Sequence, residues 1–437
     1  QQSQKPPHKS SQAPEPEGIT ARHAVEECGE AVARPSAEMA AKLRPIREAA
    51  AALPAPDARQ HMAVALLGHS GVGKSTLLGA LMRTSGAWDR RTFDKFTKEQ
   101  REGSSGSAEI TVSHQTGTGN KRFTLLDPPG QKRCVAHAWN AVAQSDAAVL
   151  VVSAISSELQ AGLAKGGQTR EHAVLAKSAG IDNLIVAVNK MDTVGSADGK
   201  WSNLRFEEVR SDMWVALRGA GFHDEQVTLV PICATASANL GGEEESECDS
   251  CAGWYSGGTL LEILEASSLP PRQTEGVMRA TVVGRAKRGN AVVASVRVEQ
   301  GTLELGTALS LVPPASECGV QMLEVGGKEV RLAHAGELAE VRFLGGHACI
   351  GQALCAFEEP LRSTPKFKAQ LRLVETADEL PIFTAGFRCM LHIHQATEEC
   401  EVQKLIESVD PRTKKKETPP RVARAPLVVL CVLALTS

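Results

Sequence analysis

A glycine-rich segment followed by lysine and serine has the spacing of a phosphate-binding loop. Four residues separate Gly68 from Gly73, and Lys74 and Ser75 follow directly. In such a loop, backbone N–H groups surround a polyphosphate, the lysine contacts the β- and γ-phosphates, and the serine hydroxyl helps to hold Mg²⁺. A glycine-rich turn that matches by chance is the alternative. The residues predicted to bind nucleotide phosphate are Gly68, His69, Ser70, Gly71, Val72, Gly73, Lys74, Ser75 and Thr76.

A second polar segment, Asn189 to Asp192, follows an apolar run and has the residue types needed to recognise a purine base. The carboxylate of Asp192 can accept from N1–H and the exocyclic amine of guanine, a pair of donors that adenine lacks. The Asn189 amide can reach the other edge of the purine, and the Lys190 stem can cover the ring face. A polar turn without a ligand is the alternative. We predict that the base is guanine.

A third segment, Asp127 to Gln131, lies between these two in the chain, at the end of another apolar run. An aspartate at the end of a strand can hold the water shell of Mg²⁺, so Ser75 and Asp127 are the predicted metal residues. The N–H of Gly130 can contact the γ-phosphate, and a glutamine in the place of Gln131 can orient the attacking water. Gln131 is therefore the candidate catalytic residue for hydrolysis of a nucleoside triphosphate.

The elements that must position these groups alternate between strand and helix. Apolar runs at 62–67, 122–126, 147–154, 184–188 and 227–232 are separated by helical patterns. This order predicts an α/β domain with a mostly parallel sheet, flanking helices and a nucleotide at the carboxyl ends of the strands.

The pattern changes after the Leu-Pro-Pro at 269–271 to short β runs separated by glycines, which predicts small antiparallel barrels. We assign residues 61–271 to the nucleotide-binding domain, 275–360 to a first barrel and 361–437 to a second, apparently truncated barrel. Residues 1–60 form an extension, with 1–20 predicted to be disordered. The alanine-rich part of the extension, 37–53, predicts a short helix interrupted at Pro45. We favour the interpretation that this part is an inert linker over the alternative that it binds a partner.

The motifs together resemble the translational GTPases of the elongation factor 1-alpha and elongation factor Tu superfamily. Residues 166–173, Gly-Gly-Gln-Thr-Arg-Glu-His-Ala, are similar to a signature of that group. Further details resemble the GTPase subunit of the eukaryotic peptide-chain release factor. They lie at 165–180, 201–208, 254–255 ahead of 269–271, and 391–399.

The resemblance implies a GTP-binding protein of three domains that uses Mg²⁺ and cycles between GTP and GDP. It implies hydrolysis of GTP, a class-I release factor as partner, and action on the ribosome in translation termination. It also implies that the turn after the fifth strand contacts guanine, which adds Cys233, Ala234 and Thr235 to the nucleotide site.

Two positions near the triphosphate depart from the family. The family places histidine where this chain has Gln131, and counting back from Asp127 puts Ala108 where the family has a threonine that completes the Mg²⁺ shell. Ser107 or Thr111 could take that place if the loop shifts. Two other functions therefore stay open. One is a guanine-nucleotide-binding partner module with impaired hydrolysis, and the other an elongation factor 1-alpha-like carrier of aminoacyl-tRNA.

Composition agrees with a three-domain cytoplasmic protein. A chain of 437 residues is too long for one core, and a net charge of −3 gives no bulk field for sequence-specific nucleic-acid binding. Eleven cysteines without a disulfide spacing or signal peptide predict reduced thiols, and Cys248 and Cys251 are an isolated pair. The apolar run 427–435 is far shorter than the ~20 residues that span a bilayer, so we predict a strand and no membrane anchor.

Overall fold

The computed structural model describes the backbone of residues 34–54, 57, 59–86, 88–89, 91–92, 95, 111–116, 119–131, 134–195, 200–241, 254–288, 291–373, 382–411 and 413–436. Three predictions fall outside these ranges: the disorder of residues 1–20, the Mg²⁺-shell position at Ala108 with its alternative Ser107, and the cysteine pair Cys248 and Cys251. Of Thr111, only the backbone is described.

The first domain is built on a six-stranded sheet in the order β2-β3-β1-β4-β5-β6. Five strands are parallel, and β2 runs antiparallel to β3 at one edge. Apart from polar residues at their ends, the central strands β1, β4 and β5 are apolar and buried on both faces, as parallel strands covered by helices require. The strands are β1 Gln60–Leu67, β2 Thr111–Thr116, β3 Lys121–Asp127, β4 Ala147–Ser153, β5 Asn183–Asn189 and β6 Val227–Pro231.

Helices cover both faces of this sheet. The helices whose bounds are described are α1 Ala37–Ala50, α2 Lys74–Thr84, α3 Val135–Ala143, α4 Ser156–Leu163, α5 Gln168–Ser178, α6 Asn203–Ala220 and α7 Leu260–Ala266. Side chains of α2 and α7 form one core with one face of the sheet. Side chains of α3 to α6 form a second core on the other face. The predicted α/β class is confirmed.

The second domain is a closed antiparallel barrel. Strands β10, β15, β7, β8, β14 and β11 pair in that order, and β10 also pairs with β11, which closes the circle. Closure leaves no unpaired edge in this ring and encloses a core of its own. The strands of the domain are β7 Arg279–Arg288, β8 Ala291–Gln300, β9 Thr302–Glu304, β10 Ala308–Val312, β11 Ser316–Val325, β12 Lys328–Glu329, β13 Leu332–His334, β14 Leu338–Leu344 and β15 Ala353–Cys355.

The third domain is an antiparallel sheet in the order β16-β20-β18-β17, with β19 paired to β18. The apolar run 427–435 forms β20, as predicted. None of the helices in the described ranges is both long and apolar enough to cross a bilayer. The domain limits and the truncation of the second barrel stay predictions. The strands are β16 Lys366–Arg372, β17 Arg388–Ile393, β18 Ala396–Val409, β19 Lys416–Glu417 and β20 Val428–Leu435.

Helix α1 differs from the expectation in two ways. It runs without interruption through Pro45, and it packs against the barrel instead of hanging free as a linker. Leu43 is buried on Gly319, and the Ser36 N–H and Oγ each donate to the Glu317 carboxylate at 2.7 Å. Burial and capping offset the hydrogen bond that an internal proline removes.

Candidate nucleotide-binding site

The predicted phosphate loop lies between β1 and α2, as its strand and helix pattern indicated. Gly68, Gly71 and Gly73 have φ angles of 137°, 84° and 97°, a region that side chains disfavour. A Cβ at Gly68 would collide with the Val151 carbonyl oxygen. Thr76 is exposed in the first turn of α2. The glycine spacing thus shapes a loop that folds back closely on the sheet.

The Lys74 side chain is buried at the centre of the loop. Its Nζ donates to the carbonyl oxygens of Gly68 and His69, both at 2.9 Å. Burial lowers the pKa of Lys74, while Asp127 raises it. Gly130 lies so close that any side chain there would collide with Lys74 Nζ. Lys74 Nζ and Gly130, the predicted contact of the γ-phosphate, are therefore adjacent.

Ser75 and Asp127 form the predicted metal pair. Ser75 Oγ donates to Asp127 Oδ2 at 2.6 Å. The other carboxylate oxygen, Oδ1, is buried and has no hydrogen-bond partner among the described residues. Burial raises the pKa of Asp127, whereas Ser75 and Lys74 lower it. A hydroxyl beside an unsatisfied carboxylate oxygen fits Mg²⁺, which prefers oxygen ligands.

Asn189 at the end of β5 makes two hydrogen bonds within the protein. Its Nδ2 donates to the Val72 carbonyl at 2.9 Å, and its Oδ1 accepts from the Ala234 N–H at 3.0 Å. The amide thus ties the phosphate loop to the turn after β6. These two bonds give Asn189 a positioning role, and each end of the amide keeps capacity for a further hydrogen bond, so its contact with the purine edge stays a prediction.

Lys190 and Asp192 follow in a turn whose first residue, Lys190, has a φ of 65°. Lys190 Nζ donates to the Gly71 carbonyl at 2.9 Å and pairs with the Glu158 carboxylate at 2.7 Å, so its stem crosses over the loop. Asp192 is exposed and lies beside the thiol of Cys233, whose pKa is raised by burial and also by Asp192. An exposed carboxylate next to this turn suits guanine recognition.

The turn after β6 is partly buried and partly open. Cys233 and Ala234 are buried, Thr235 is exposed, and the Cys233 thiol lies 3.2 Å from the Thr235 hydroxyl. The structure therefore brings this turn, the phosphate loop and the Asp192 segment to the same edge of the sheet.

Gln131 lies at the entrance to α3. Its side chain is exposed, and its carbonyl accepts from the Cys134 N–H at 2.8 Å. Its catalytic role stays a prediction.

Two residues of α5 support the loop, although the sequence patterns gave them no role. His172 Nδ1 accepts from the Gly68 N–H at 3.0 Å, and Gln168 Oε1 lies 3.4 Å from the Ser70 N–H. Both belong to the 166–173 segment that carried the family resemblance. The resemblance of this segment to the family signature indicated that it is important, but only the fold shows that it contacts the phosphate loop.

We expect His172 to make the fold less stable in acid. Burial, helped by Lys74, lowers the pKa of His172 to about 3. The unfolded chain, with a histidine pKa of about 6.5, then binds more protons, so stability is lost as the pH falls from 6.5 toward 3. His172→Gln keeps an acceptor for Gly68 without titrating. Between pH 6.5 and 4.5, the unfolding free energy of the wild type should fall by about 2 kcal/mol more than that of the variant.

The measurement is denaturant unfolding at each pH without nucleotide. His223→Gln, at an exposed position of the same domain, is the control and should keep the wild-type slope. Parallel stability curves for His172→Gln and the wild type would show that His172 is not the linked group.

Gly73→Ala should disrupt nucleotide binding. A Cβ there would collide with Asn189 Nδ2, and the φ of 97° disfavours any side chain. The backbone penalty is about 1–2 kcal/mol, and the displaced Asn189 adds to it because it holds the base turn. We expect the affinity for GTP to fall by at least about 30-fold, or about 2 kcal/mol, in isothermal titration calorimetry.

The matched control is Gly86→Ala. Gly86 also has a positive φ, of 69°, but a Cβ there meets nothing within 4 Å. It should reduce stability by about 1 kcal/mol and leave GTP affinity unchanged. Equal affinities for both variants and the wild type would contradict the predicted contact.

Comparison with known proteins agrees with this geometry. Residues 59–270 match the elongation factor Tu GTP binding domain, and residues 366–437 match the GTP-eEF1A C-terminal domain-like family. The chain is 29% identical over 403 residues to the eukaryotic peptide chain release factor GTP-binding subunit of Candida maltosa, covering 86% of this chain and 55% of that protein. The subunit of the same name from Schizosaccharomyces pombe is 29% identical over 398 residues, at 86% and 59% coverage.

The chain thus spans a little more than half the length of these curated relatives. Among solved structures, it is similar to the GTPase-like domain of Saccharomyces cerevisiae Ski7 bound to GDP and inorganic phosphate. The TM-score is 0.68 at 14% identity, with 87% of this chain and 90% of that chain covered, which supports the fold. The chain belongs to the translational GTPases of the elongation factor Tu and elongation factor 1-alpha type.

Proposed function

We propose that this chain binds GTP and GDP together with Mg²⁺ and hydrolyses GTP to promote the action of a class-I peptide-chain release factor at stop codons. The observation that carries the proposal is the Ser75–Asp127 pair with its unsatisfied oxygen beside the buried Lys74. The two curated relatives are named as GTP-binding subunits of a release factor. The proposed place of action is the ribosome in the cytoplasm.

Ser75 and Asp127 would hold the Mg²⁺, which neutralises charge on the β- and γ-phosphates when it is bound. Lys74 would exchange its two carbonyl acceptors for phosphate oxygens, a stronger charge-assisted contact. The Gly130 N–H would donate to the γ-phosphate, which is present only before hydrolysis. Gln131 would orient the attacking water.

Base selection would be made by Asp192 and the turn of Cys233, Ala234 and Thr235. Asn189 holds that turn against the phosphate loop. The Asn189 amide therefore fixes the distance between the turn that would bind the base and the loop that would bind the phosphates. A bound nucleotide would contact both.

The direct test has two stages. Calorimetry should show binding of GTP and GDP but not of ATP, and removal of Mg²⁺ should weaken GTP binding. GTP turnover is then measured for the protein alone, with ribosomes, and with ribosomes plus a class-I release factor. Strong stimulation in the last mixture supports the proposal, whereas absence of guanine-nucleotide binding would refute it.

Gln131 favours a second candidate, a guanine-nucleotide-dependent partner module that hydrolyses GTP slowly. Its side chain is exposed and stands where the family has histidine, so a ribosome that triggers a histidine would meet a different group. Gln131→His discriminates the two. A rise in ribosome-stimulated turnover of a slow parent supports the second candidate, and no change shows that Gln131 does not limit the rate.

The partner is tested separately by pull-down of a class-I release factor against charged tRNA, both with bound GTP. Retention of the release factor supports the termination role. Retention of aminoacyl-tRNA alone would favour the elongation factor 1-alpha-like role instead.

A further inference from the structure

Two cysteines face each other across the β17–β18 hairpin of the third domain. Cys389 on β17 is directly opposite Cys400 on β18 in the antiparallel register. Their sulfur atoms are 3.5 Å apart, and both are free thiols. This pair lies in the third domain, whereas the residues of the nucleotide site lie in the first.

The backbone at this pair is compatible with a disulfide. Opposed residues of an antiparallel ladder have Cα atoms about 4.5 or 5.5 Å apart, and disulfides accept about 4.4–6.8 Å. Both side chains point to the same face of the sheet, because cross-strand neighbours share a face. Shortening the sulfur distance to about 2.05 Å requires side-chain rotation and little backbone movement.

Access to the pair comes from one side. Strand β17 lies at the end of the strand order, and Cys389 on it is half-buried. Cys400 is buried in the domain core. An oxidant in solution therefore meets Cys389 first and Cys400 second.

We propose that Cys389 and Cys400 are an oxidation site, which forms an intramolecular disulfide by exchange with a low-molecular-weight disulfide such as oxidised glutathione. The Cys389 thiolate attacks one glutathione sulfur and releases the first glutathione thiolate. The Cys400 thiolate then attacks Cys389 Sγ and releases the second. The two thiol protons are taken up by the released glutathione, so two protein thiols are oxidised and one glutathione disulfide is reduced.

The second step should be the slower one. Burial raises the pKa of the Cys400 thiol, and it still does so when Cys389 carries glutathione, so the Cys400 thiolate is scarce at neutral pH. Glutathione should therefore accumulate on Cys389 before the internal disulfide forms, and raising the pH should shorten that delay.

The hairpin that carries the two cysteines contacts the first domain. At the tip of the same hairpin, the His394 carbonyl accepts from Trp139 Nε1 at 3.0 Å, and Gln395 Nε2 donates to the Asn140 carbonyl at 3.0 Å. Both contacts are to α3, the helix that begins just after Gln131. The disulfide would join the two strands directly behind this contact.

The experiment uses the full chain treated with oxidised glutathione and then alkylated before unfolding. A glutamate-specific protease cuts after Glu398 and Glu399, so the Cys389 and Cys400 fragments stay together only through a disulfide. Mass spectrometry should show this linked pair and its loss after reduction. Cys400→Ser should instead retain glutathione on Cys389, because the resolving thiol is gone.

Cys349→Ser is the matched control, since Cys349 is an exposed thiol in the described part of the barrel domain and its loss should leave the linked pair unchanged. Two outcomes would overturn the proposal. In the first, oxidised glutathione modifies Cys349 of the wild-type protein, but Cys389 either remains a free thiol or carries glutathione without going on to form the disulfide with Cys400. The other is a link from Cys400 to the neighbouring Cys431.

Discussion

Asp192→Asn should lower the affinity for GTP by about 10²- to 10⁴-fold. The substitution removes two charge-assisted hydrogen bonds to guanine, each worth about 1.5–3 kcal/mol. Each 1.4 kcal/mol, roughly, corresponds to a tenfold change in the dissociation constant. Asp192 is exposed at the edge of the sheet beside Cys233, so the substitution should not disturb packing. Calorimetry measures the affinity for GTP, and thermal unfolding checks that the variant is folded.

The same variant should gain affinity for xanthosine triphosphate. Xanthine has a carbonyl where guanine has its exocyclic amine, and the new amide can donate to that oxygen. Asp182→Asn is the control, because Asp182 is 76% exposed and immediately precedes β5, whereas Asp192 follows it. It should leave both affinities unchanged. If Asp192→Asn binds GTP as the wild type does, Asp192 does not read the base.

Asp146→Ala should destabilise the protein by about 3–5 kcal/mol, the range for breaking a buried ion pair. The Asp146 carboxylate accepts from Arg272 and Arg297 at 2.9 Å each, and from the Ala63 N–H at 2.9 Å. Its side chain is 2% exposed. Arg297 lies on β8 and Arg272 in the connection to the barrel, so one carboxylate joins the first two domains. Its removal leaves two guanidinium groups poorly solvated.

Chemical unfolding of the variant should show this loss, with the first transition at lower denaturant. Asp224→Ala removes a carboxylate that pairs with Arg218 at 3.0 Å, with side chains 64% and 65% exposed. It should cost at most about 1 kcal/mol. Adding Arg297→Met to Asp146→Ala should recover part of the stability, since one unpaired charge is then removed. Equal costs for Asp146→Ala and Asp224→Ala would show that the buried network does not stabilise the fold.

Much of the candidate site could be predicted from local sequence because its parts are contiguous. The phosphate loop needs glycines at fixed spacing, a strand before it and a helix after it, and all three are visible within 62–84. The Ser75–Asp127 pair was also predicted, because parallel strands end at one edge of a sheet and bring separate loops together.

The sequence predicted a ligand for Asn189 but did not predict its two protein partners. An amide that follows a strand has the same chemistry whether it faces a ligand or a loop, and its partners, Val72 and Ala234, come from distant parts of the chain. The supporting His172 was likewise seen only as part of a signature. The fate of a polar side chain depends on which neighbours compete for its hydrogen bonds, and these are set by packing.

The same limit applies between domains. By itself, the sequence determined the α/β class, the antiparallel β domains that follow it, and which positions are predicted to meet phosphate, metal and base, because periodicity and turn residues act over short stretches of chain. Only the tertiary structure decided that α1 packs on the barrel, that Asp146 joins two domains, and that Cys389 faces Cys400. The contacts of α1 and of Asp146 depend on packing between segments far apart in sequence. The contact of Cys389 with Cys400 depends on the register of the β17–β18 hairpin, and residue patterns alone fix neither.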